Sequence, residues 1–263
     1  MGCIVRVKFK KMEHLRMDSL LVIPSRLAAT RLPNKPLADI CGKPMIVRVW
    51  EKATQANIGP VIVACGDQEI LDAVKAYGAE GVMTDPSLPS GTDRVKAAVD
   101  LYDPQGKYDI IVNIQGDLPT LDPAFVRHTL EPLLNPGVDI STLTVPLEPH
   151  EFDDPSKVKI ALSLQTGSDI GRVLYVSRNL IPSGEGPFYH HIGIYGFRRK
   201  ALNRFVSLPV DPLEAREKLE QIRALADGMR IDAKILNSST PFGVDTPADL
   251  ERAIQIVSAE ETV

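Results

Sequence analysis

Short apolar runs alternate with helix-like segments through the first half of the chain. The runs 20–23, 61–64 and 109–114 have the length of strands that are buried on both faces. Between them, residues 70–77 place apolar side chains at helical spacing behind Asp67, a candidate N-cap. The same pattern predicts a strand over 79–83 and helices over 93–101 and from Asp122, with Pro123 in its first position.

The pattern changes after about residue 137. Segments 140–145, 158–164, 173–176 and 189–197 alternate as half-exposed strands do, with few helical stretches between them. A helix over 213–226, a strand over 231–236 and a helix over 247–257 follow. We therefore predict an α/β fold whose mixed, mainly parallel sheet is flanked by helices. The chain is expected to form one domain over 19–260, with an antiparallel subdomain at about 138–200.

Composition places the chain among ordinary globular proteins. Of 263 residues, 44% are hydrophobic and 24% charged, and the net charge of −4 argues against a nucleic-acid partner. Three widely spaced cysteines indicate neither a disulfide framework nor a metal cluster, and no apolar run is long enough to insert into a membrane. The basic segment 1–18 is expected to lie outside the domain as an extension, with Met17 as a candidate natural start.

A basic segment follows the first predicted strand. Arg26, Arg31 and Lys35 fall within ten residues, on a loop broken by prolines. Ligands of open α/β sheets bind beyond the carboxyl ends of the strands, and arginine and lysine suit phosphate oxygens. The segment therefore predicts a polyphosphate site, with a merely solvated basic loop as the alternative.

Two aspartates stand at predicted strand–loop junctions. Asp117 follows the strand at 109–114, and Asp245 precedes a helix start at Thr246, Pro247 and Asp249. Carboxylates together with substrate phosphates are what Mg²⁺ takes as ligands. With the basic segment, the two aspartates predict phosphoryl or nucleotidyl transfer; for each one alone, an ordinary turn is the alternative.

The motif 90–94, Ser-Gly-Thr-Asp-Arg, opens a predicted helix. Backbone amides at a helix N-terminus attract anions or base carbonyls. The motif thus indicates a place for the nucleotide, and an ordinary capped helix start explains the spacing equally well.

These motifs together resemble those of the 3-deoxy-manno-octulosonate (Kdo) cytidylyltransferases, the CMP-Kdo synthetases. The resemblance spans residues 20–252, with the motifs in the family's order. It is carried by 24–37, Gly42-Lys-Pro-Met-Ile, Ser90-Gly-Thr-Asp-Arg, Val112-Asn-Ile-Gln-Gly-Asp, His191-Ile-Gly-Ile-Tyr-Gly-Phe, Pro212-Leu-Glu, Leu219-Glu-Gln-Ile-Arg and Gly243-Val-Asp-Thr-Pro-Ala-Asp-Leu-Glu.

The resemblance implies transfer of CMP from CTP to the anomeric hydroxyl of Kdo, with release of pyrophosphate. It also implies a nucleotide-diphospho-sugar transferase fold with an antiparallel dimerising insertion, a cytoplasmic homodimer, a Mg²⁺ requirement and a role in lipopolysaccharide synthesis. Transferred motif by motif, it places CTP phosphates on Arg26, Arg31 and Lys35, Mg²⁺ on Asp117 and Asp245, the nucleotide end on Ser90, Arg94 and Gln115, and the sugar acid on Arg178, His191, Tyr195, Glu220 and Gln221. Arg31, Lys35, Asp117 and Asp245 would be the catalytic residues.

The chain departs from the family's usual pattern at several positions. Leu118 stands in place of an acidic residue, and Ser25, Leu27 and Asn34 stand in place of Ala, Tyr and Gly. The predicted sugar residues have structural alternatives: His191 as a core histidine, and Glu220 as a partner of Arg216 on a helix. Three other functions stay open: a cytidylyltransferase for another acidic sugar such as a sialic acid or an amino-Kdo, a nucleotide-binding regulatory protein, and a structural partner.

Overall fold

The computed structural model describes residues 18–27, 32–238 and 242–261. Eleven strands and eight α-helices lie in these ranges, whereas Arg31 and residues 1–17 of the extension predicted over 1–18 lie outside them. The strands are β1 Ser19–Ser25, β2 Asp39–Ile40, β3 Lys43–Pro44, β4 Val61–Cys65, β5 Glu80–Met83, β6 Ile110–Asn113, β7 Ile140–Pro146, β8 Lys159–Leu164, β9 Ile170–Ser177, β10 Tyr189–Arg198 and β11 Ile231–Ile235. The helices are α1 Met45–Thr54, α2 Gln68–Ala76, α3 Gly91–Tyr102, α4 Pro123–His128, α5 Arg199–Ser207, α6 Pro212–Glu217, α7 Gln221–Ala226 and α8 Pro247–Glu261.

One nine-stranded sheet organises the described residues, in the order β5-β4-β1-β6-β10-β7-β11-β9-β8. Strands β5, β4, β1 and β6 run parallel, and β10 enters antiparallel between β6 and β7. The pairing of β7 with β11 is again parallel, whereas β9 and β8 pair antiparallel at the edge. The predicted mixed α/β architecture is confirmed, and its antiparallel strands are continuous with the main sheet.

Two apolar clusters cover the two faces of this sheet. Along β1, Leu21 and Ile23 belong to one cluster, and Leu20 and Val22 to the other. Because successive side chains of a strand point to opposite faces, both faces of β1 are core. Burial of both faces explains why the apolar run from Leu20 to Ile23 is unbroken. Polar residues that could bind a ligand therefore begin only at the end of β1.

Strand β7 differs from its prediction as a half-exposed strand, because it is buried from Ile140 to Val145. The polar side chains of its alternating pattern face inward and are satisfied there. Thr142 Oγ1 donates to the carbonyl of Ile192 at 3.0 Å, and Thr144 Oγ1 donates to that of His190 at 2.7 Å. Threonine suits such a position because its hydroxyl can bond a neighbouring strand while its methyl group packs.

The helix predicted over 213–226 is two helices, α6 and α7. Lys218 ends α6 in the left-handed region, with φ 56°, which a continuing helix cannot include. Helices α1 and α5 lie where no element is predicted from the sequence, although α1 buries Ile46, Val47 and Val49 against the core. Within the described parts of the chain, no helix is long and apolar enough to cross a membrane.

A partly buried ion network ties the region after α4 to the far half of the sheet. Lys234 Nζ, on β11, lies 3.0 Å from Glu131 Oε2 and 2.5 Å from Asp169 Oδ2, and His128 Nδ1 lies 2.5 Å from Glu131 Oε1. Burial favours the neutral acid, but hydrogen bonds from His128 and Lys234 lower the pKa of Glu131 to about 2. The carboxylate is therefore held ionised by the fold.

This network gives the protein an acid-sensitive contribution to its stability. The pKa of Glu131 is 4.5 in the reference state and about 2 when folded, so its contribution is complete above pH 4.5 and disappears as the pH falls towards 2. We expect Glu131→Gln to lower the free energy of unfolding by about 1–3 kcal/mol at pH 7. The variant's free energy of unfolding should also depend less on pH between 4.5 and 2 than that of the wild type.

Urea unfolding at pH 7, 4.5 and 3 measures both effects. Asp169→Asn, at an exposed partner, is the control; equal losses for both variants would contradict the assignment.

Candidate functional site

The site lies beyond the carboxyl ends of β1 and β6, the central parallel strands. After β6, the chain continues against β1 through a hydrogen bond from the Ile114 amide to the Val22 carbonyl, 3.0 Å. Gly116 then passes so close to Pro24 that a Cβ at this glycine would lie 3.0 Å from the proline's carbonyl oxygen. Glycine therefore lets the loop carrying Asp117 lie directly on the end of β1.

Lys35 brings the two predicted aspartates together. Its Nζ lies 2.9 Å from Asp117 Oδ2 and 3.0 Å from Asp245 Oδ1, although the aspartates are 82 and 210 positions away in sequence. The lysine side chain is 17% exposed, against 31% and 48% for the two carboxylates. Burial alone would lower the pKa of Lys35, but Asp117 and Asp245 hold it above its ordinary value. Two carboxylates and one ammonium thus form a cluster at the rim of the sheet.

Asp245 is held at this rim by the start of α8. The amide of Asp245 donates to Asp249 Oδ2 at 3.1 Å, and Thr246 Oγ1 accepts from the Asp249 amide at 3.2 Å. One residue earlier, buried Val244 donates its amide to the carbonyl of Asp117 at 2.9 Å. The predicted helix start at Thr246 and Pro247 is confirmed, and it leaves the Asp245 carboxylate directed at Lys35.

This cluster fits a magnesium ion in its donor chemistry. Asp117 and Asp245 supply hard oxygen atoms, and the ammonium already held between them shows that they can share one cation. In the described part of the chain, no group of three or more His, Cys, Asp or Glu side chains is arranged to hold a metal. Two carboxylates completed by phosphate oxygens and waters are the usual protein share of a Mg²⁺ site. These residues would therefore hold Mg²⁺ only together with a phosphate ligand.

A small cavity adjoins the cluster and collects the residues predicted for the nucleotide. Its volume is about 140 Å³, and Gln115, two positions before Asp117, belongs to its wall. Gln115 Nε2 donates to the Gly193 carbonyl at 2.9 Å, and Ser90 caps α3 by accepting from the Asp93 amide at 3.1 Å. The lining residues are Pro24, Ser25, Arg26, Ser90, Gly91, Arg94 and Gln115.

The two arginines of this cavity differ in their environment. Arg94 is buried, and its guanidinium donates to Thr84 Oγ1 at 2.6 Å and to the Asp85 and Pro86 carbonyls at 3.1 and 3.3 Å. Burial, and then the charge of Arg26, lower the pKa of Arg94. Arg26 is exposed. Arg94 therefore shapes the cavity wall, whereas Arg26 is available to a ligand.

A matched pair of variants separates these roles. We expect Arg94→Met to lower the free energy of unfolding by about 2–4 kcal/mol, because it leaves Thr84 and two carbonyls without their donor. Arg26→Met should change it by less than about 0.5 kcal/mol, as at other exposed positions. Chemical denaturation of both variants measures the difference, and an equal loss would refute it.

Three of the residues predicted for the sugar form a connected group. The rings of His191 and Tyr195, both buried on β10, have centroids 5.4 Å apart, and Tyr195 pairs in register with Asn113 at the end of β6. Glu220 reaches this region by accepting a hydrogen bond from Thr92 Oγ1 at 2.6 Å. It thus bonds to α3, and the alternative of a helical pair with Arg216 is not what the structure shows.

Burial sets the protonation of this group. It lowers the pKa of His191 to about 3, raises that of Tyr195 well above its usual range, and raises that of Glu220 despite hydrogen bonds from Thr92 and Ser90. Neutral His191, with Nε2 2.9 Å from Thr142 Oγ1, and neutral Tyr195 offer hydrogen bonds without charge. Thr92 is a residue the sequence analysis does not single out, although its motif is identified.

Arg178 and Gln221 lie in different surroundings. Arg178 Nε donates to the Glu217 carbonyl and its Nη1 to the Pro155 carbonyl, both at 2.9 Å, so that backbone oxygens hold the guanidinium. Gln221 is buried at the first position of α7. The roles of both in sugar binding stay predictions.

A second, larger cavity opens beside Asp245. Its volume is about 1010 Å³, and its wall carries Lys157 and Arg252 as well as Asp245 and Asp249. The motif that begins at Gly243 supplies part of this wall, whereas Lys157 and Arg252 belong to no motif. The other described residues that line it are Pro146, Glu148, His150, Glu151, Ser156, Asn237, Ser238, Phe242, Gly243 and Thr246.

Two departures from the family's pattern have structural explanations. Asn34, in place of glycine, has φ 54°, and asparagine is the residue other than glycine that most readily adopts this region. Leu118, in place of an acidic residue, is 8% exposed and belongs to the core cluster that contains Ile23 and Ile46. The chain has thus replaced a charge by core packing directly after Asp117.

Comparisons with known proteins identify the family of this chain. A family model described as "Cytidylyltransferase" matches residues 20–231. The chain is 55% identical to a 3-deoxy-manno-octulosonate cytidylyltransferase of Paramagnetospirillum magneticum over 92% of this chain and 99% of that one, and 57% identical to one of Parvibaculum lavamentivorans over 89% and 90%. A solved structure of CMP:2-keto-3-deoxy-manno-octonic acid synthetase complexed with CTP superposes with a TM-score of 0.84, at 35% identity, over 92% of this chain and 99% of that one.

Proposed function

Because the chain belongs to the cytidylyltransferase family, we propose that it transfers CMP from CTP to the anomeric hydroxyl of Kdo and releases pyrophosphate. The observation that supports this most directly is the convergence of Asp117 and Asp245 on Lys35, next to the small cavity. Two carboxylates and a lysine beside a cavity at the carboxyl ends of parallel strands suit a nucleoside triphosphate. Sequence identity above 50% to proteins of that activity supports the sugar.

The chemical step is an in-line displacement at the α-phosphorus. The sugar hydroxyl oxygen forms the new P–O bond, the bond from the α-phosphorus to the bridging oxygen breaks, and pyrophosphate leaves with that oxygen. Lys35 offsets the charge that develops on the leaving group, and Arg26 provides a second cation at the mouth of the cavity. The hydroxyl proton passes to solvent, which reaches the half-exposed rim of the site.

Magnesium is part of the proposal. When bound, it would polarise the α-phosphate and offset charge in the transition state. Asp117 and Asp245 would hold it, with Lys35 then free to turn its ammonium towards a phosphate oxygen. Arg31 is proposed as a further phosphate ligand from its motif alone, since it lies outside the described residues.

The proposal includes the role, the location and the assembly that the family resemblance implies. CMP-Kdo is an activated sugar for lipopolysaccharide synthesis. We propose that the enzyme is cytoplasmic and that it acts as a homodimer. Equilibrium sedimentation tests the dimer independently of activity.

A pyrophosphate-release assay tests the function. The purified chain, with Mg²⁺, should release pyrophosphate with CTP and Kdo, and much more slowly with ATP, GTP or UTP. The acceptor arm compares Kdo with an amino-Kdo and a sialic acid. Faster release with another acceptor would replace Kdo as the substrate, and CTP binding without turnover on any acceptor would favour a regulatory protein.

A further inference from the structure

One buried hydroxyl beside the small cavity has no hydrogen-bond partner among the described residues. Ser25, the last residue of β1, is 6% exposed, and its Oγ makes no hydrogen bond within the described residues. Its backbone carbonyl, by comparison, accepts a hydrogen bond from the Gly66 amide at 2.9 Å. A buried hydroxyl without a partner costs free energy, and it calls for an explanation where it occurs.

The position of this hydroxyl points to a ligand. Ser25 lines the cavity of about 140 Å³ together with Arg26, Ser90 and Gln115. A serine hydroxyl is one donor with two acceptor lone pairs, and it rotates to suit its partner.

The lining of the cavity indicates which part of the ligand it takes. None of Lys35, Asp117 and Asp245 belongs to the wall of this cavity of about 140 Å³. The phosphates belong at Lys35, Asp117 and Asp245, beyond the loop that carries Gln115. The Ser25 hydroxyl is therefore at the nucleoside end.

We propose that Ser25 contributes to nucleotide affinity in this chain. Its hydroxyl forms a hydrogen bond with the base or the ribose of the bound nucleotide. This inference rests on the proposed function, because it assigns CTP to the cavity. It adds a contact that alanine at this position cannot make. The Oγ atom is covered in the chain without ligand, so the Ser25 side chain turns towards the cavity on binding, and its hydroxyl gains its partner there.

Strand β1 offers a matched control at its other end. Ser19 is also buried, but its Oγ donates to the Ile58 carbonyl at 2.6 Å. Removing a satisfied hydroxyl destabilises a protein, whereas removing an unsatisfied one does not. The two Ser→Ala variants on one strand are therefore expected to behave oppositely.

The experiment is calorimetric titration with CTP, CMP and inorganic triphosphate, alongside melting temperatures without ligand. Ser25→Ala should weaken CTP and CMP binding about 3- to 10-fold, the range of one hydrogen bond. It should leave inorganic triphosphate binding unchanged and should not lower the melting temperature. Ser19→Ala should lower the melting temperature and bind CTP as the wild type does.

Three outcomes overturn the inference. Wild-type CTP affinity in Ser25→Ala would show that the hydroxyl makes no bond to the nucleotide, and a fall in melting temperature like that of Ser19→Ala would show an internal partner. Equal weakening of triphosphate binding would place the effect on the whole site. If the wild-type chain binds no CTP, the proposed function itself fails, which the other outcomes leave standing.

Discussion

Asp245→Asn should lower kcat for pyrophosphate release by about 10²- to 10³-fold, while the protein stays folded. The change removes one of the two negative charges that face Lys35 and, in the proposed step, half of the protein's share of the metal site. Losses of this size are known for single electrostatic groups that act in a transition state. The effect should be larger on kcat than on CTP affinity, because the nucleoside end of the site is untouched.

Stability distinguishes this loss from unfolding. The Asp245 side chain is 48% exposed, so solvent screens its pairing with Lys35, and the variant should lose less than about 1 kcal/mol of folding free energy. Asp100→Asn, which removes an exposed carboxylate paired with Lys96, is the matched control and should keep full activity. Near-normal turnover by Asp245→Asn would remove this residue from the site.

Lys35→Met should have the second large effect. It should lower turnover and, at the same time, strengthen the binding of a divalent metal ion. Turnover should fall about 10²-fold or more, because the leaving pyrophosphate loses its cation. Binding of Mg²⁺ or Mn²⁺ without nucleotide should become tighter, because the ammonium occupies the space between Asp117 and Asp245 in the wild type. The two carboxylates, left facing each other without a cation, should also make the melting temperature rise more steeply with added Mg²⁺.

Titration of Mn²⁺ into both proteins measures the second effect separately from activity. Lys43→Met is the control, since Lys43 pairs with Glu51 at the surface, with Nζ 2.5 Å from Oε1. Equal Mn²⁺ affinities in wild type and Lys35→Met would mean that the lysine and the metal do not compete. The carboxylates would then bind the ion from another side.

The elements of the sheet were open to prediction because local patterns specify them. Residues 70–76 repeat apolar side chains at helical spacing, and the run from Leu20 to Ile23 has no polar residue that could face water. The order of strands and helices then leads to a parallel sheet. The break at Lys218 could not be foreseen, because its neighbours have good helical spacing and the left-handed turn depends on how α6 and α7 pack.

The alternating pattern of a strand also does not predict that both of its faces are buried. The alternation of β7 indicates one face open to water, but both faces of the strand are buried, and carbonyls of β10 accept hydrogen bonds from its threonines. The pair His190 and His191 shows the same limit. Alternation predicts that only one of them faces inward, but both are buried in the structure.

Within the site, the sequence predicts which residues take part but not how they lie relative to one another. Asp117 and Asp245 could be expected near one another because each follows a strand that ends at the same edge of the sheet. That Lys35 would lie between them, instead of pointing away at a phosphate, depends on distances across 82 and 210 positions. The bond between Thr92 and Glu220 is equally remote in sequence, and no motif spacing encodes it.

The central claim is that Asp117 and Asp245 coordinate the same divalent ion. A crystal structure of the protein with CTP and Mn²⁺ tests this claim directly. The anomalous difference map should show one strong peak within bonding distance of both Asp117 and Asp245 and of a phosphate oxygen, with Lys35 displaced from between the carboxylates. A map with CTP bound and the manganese peak away from either aspartate would contradict the account.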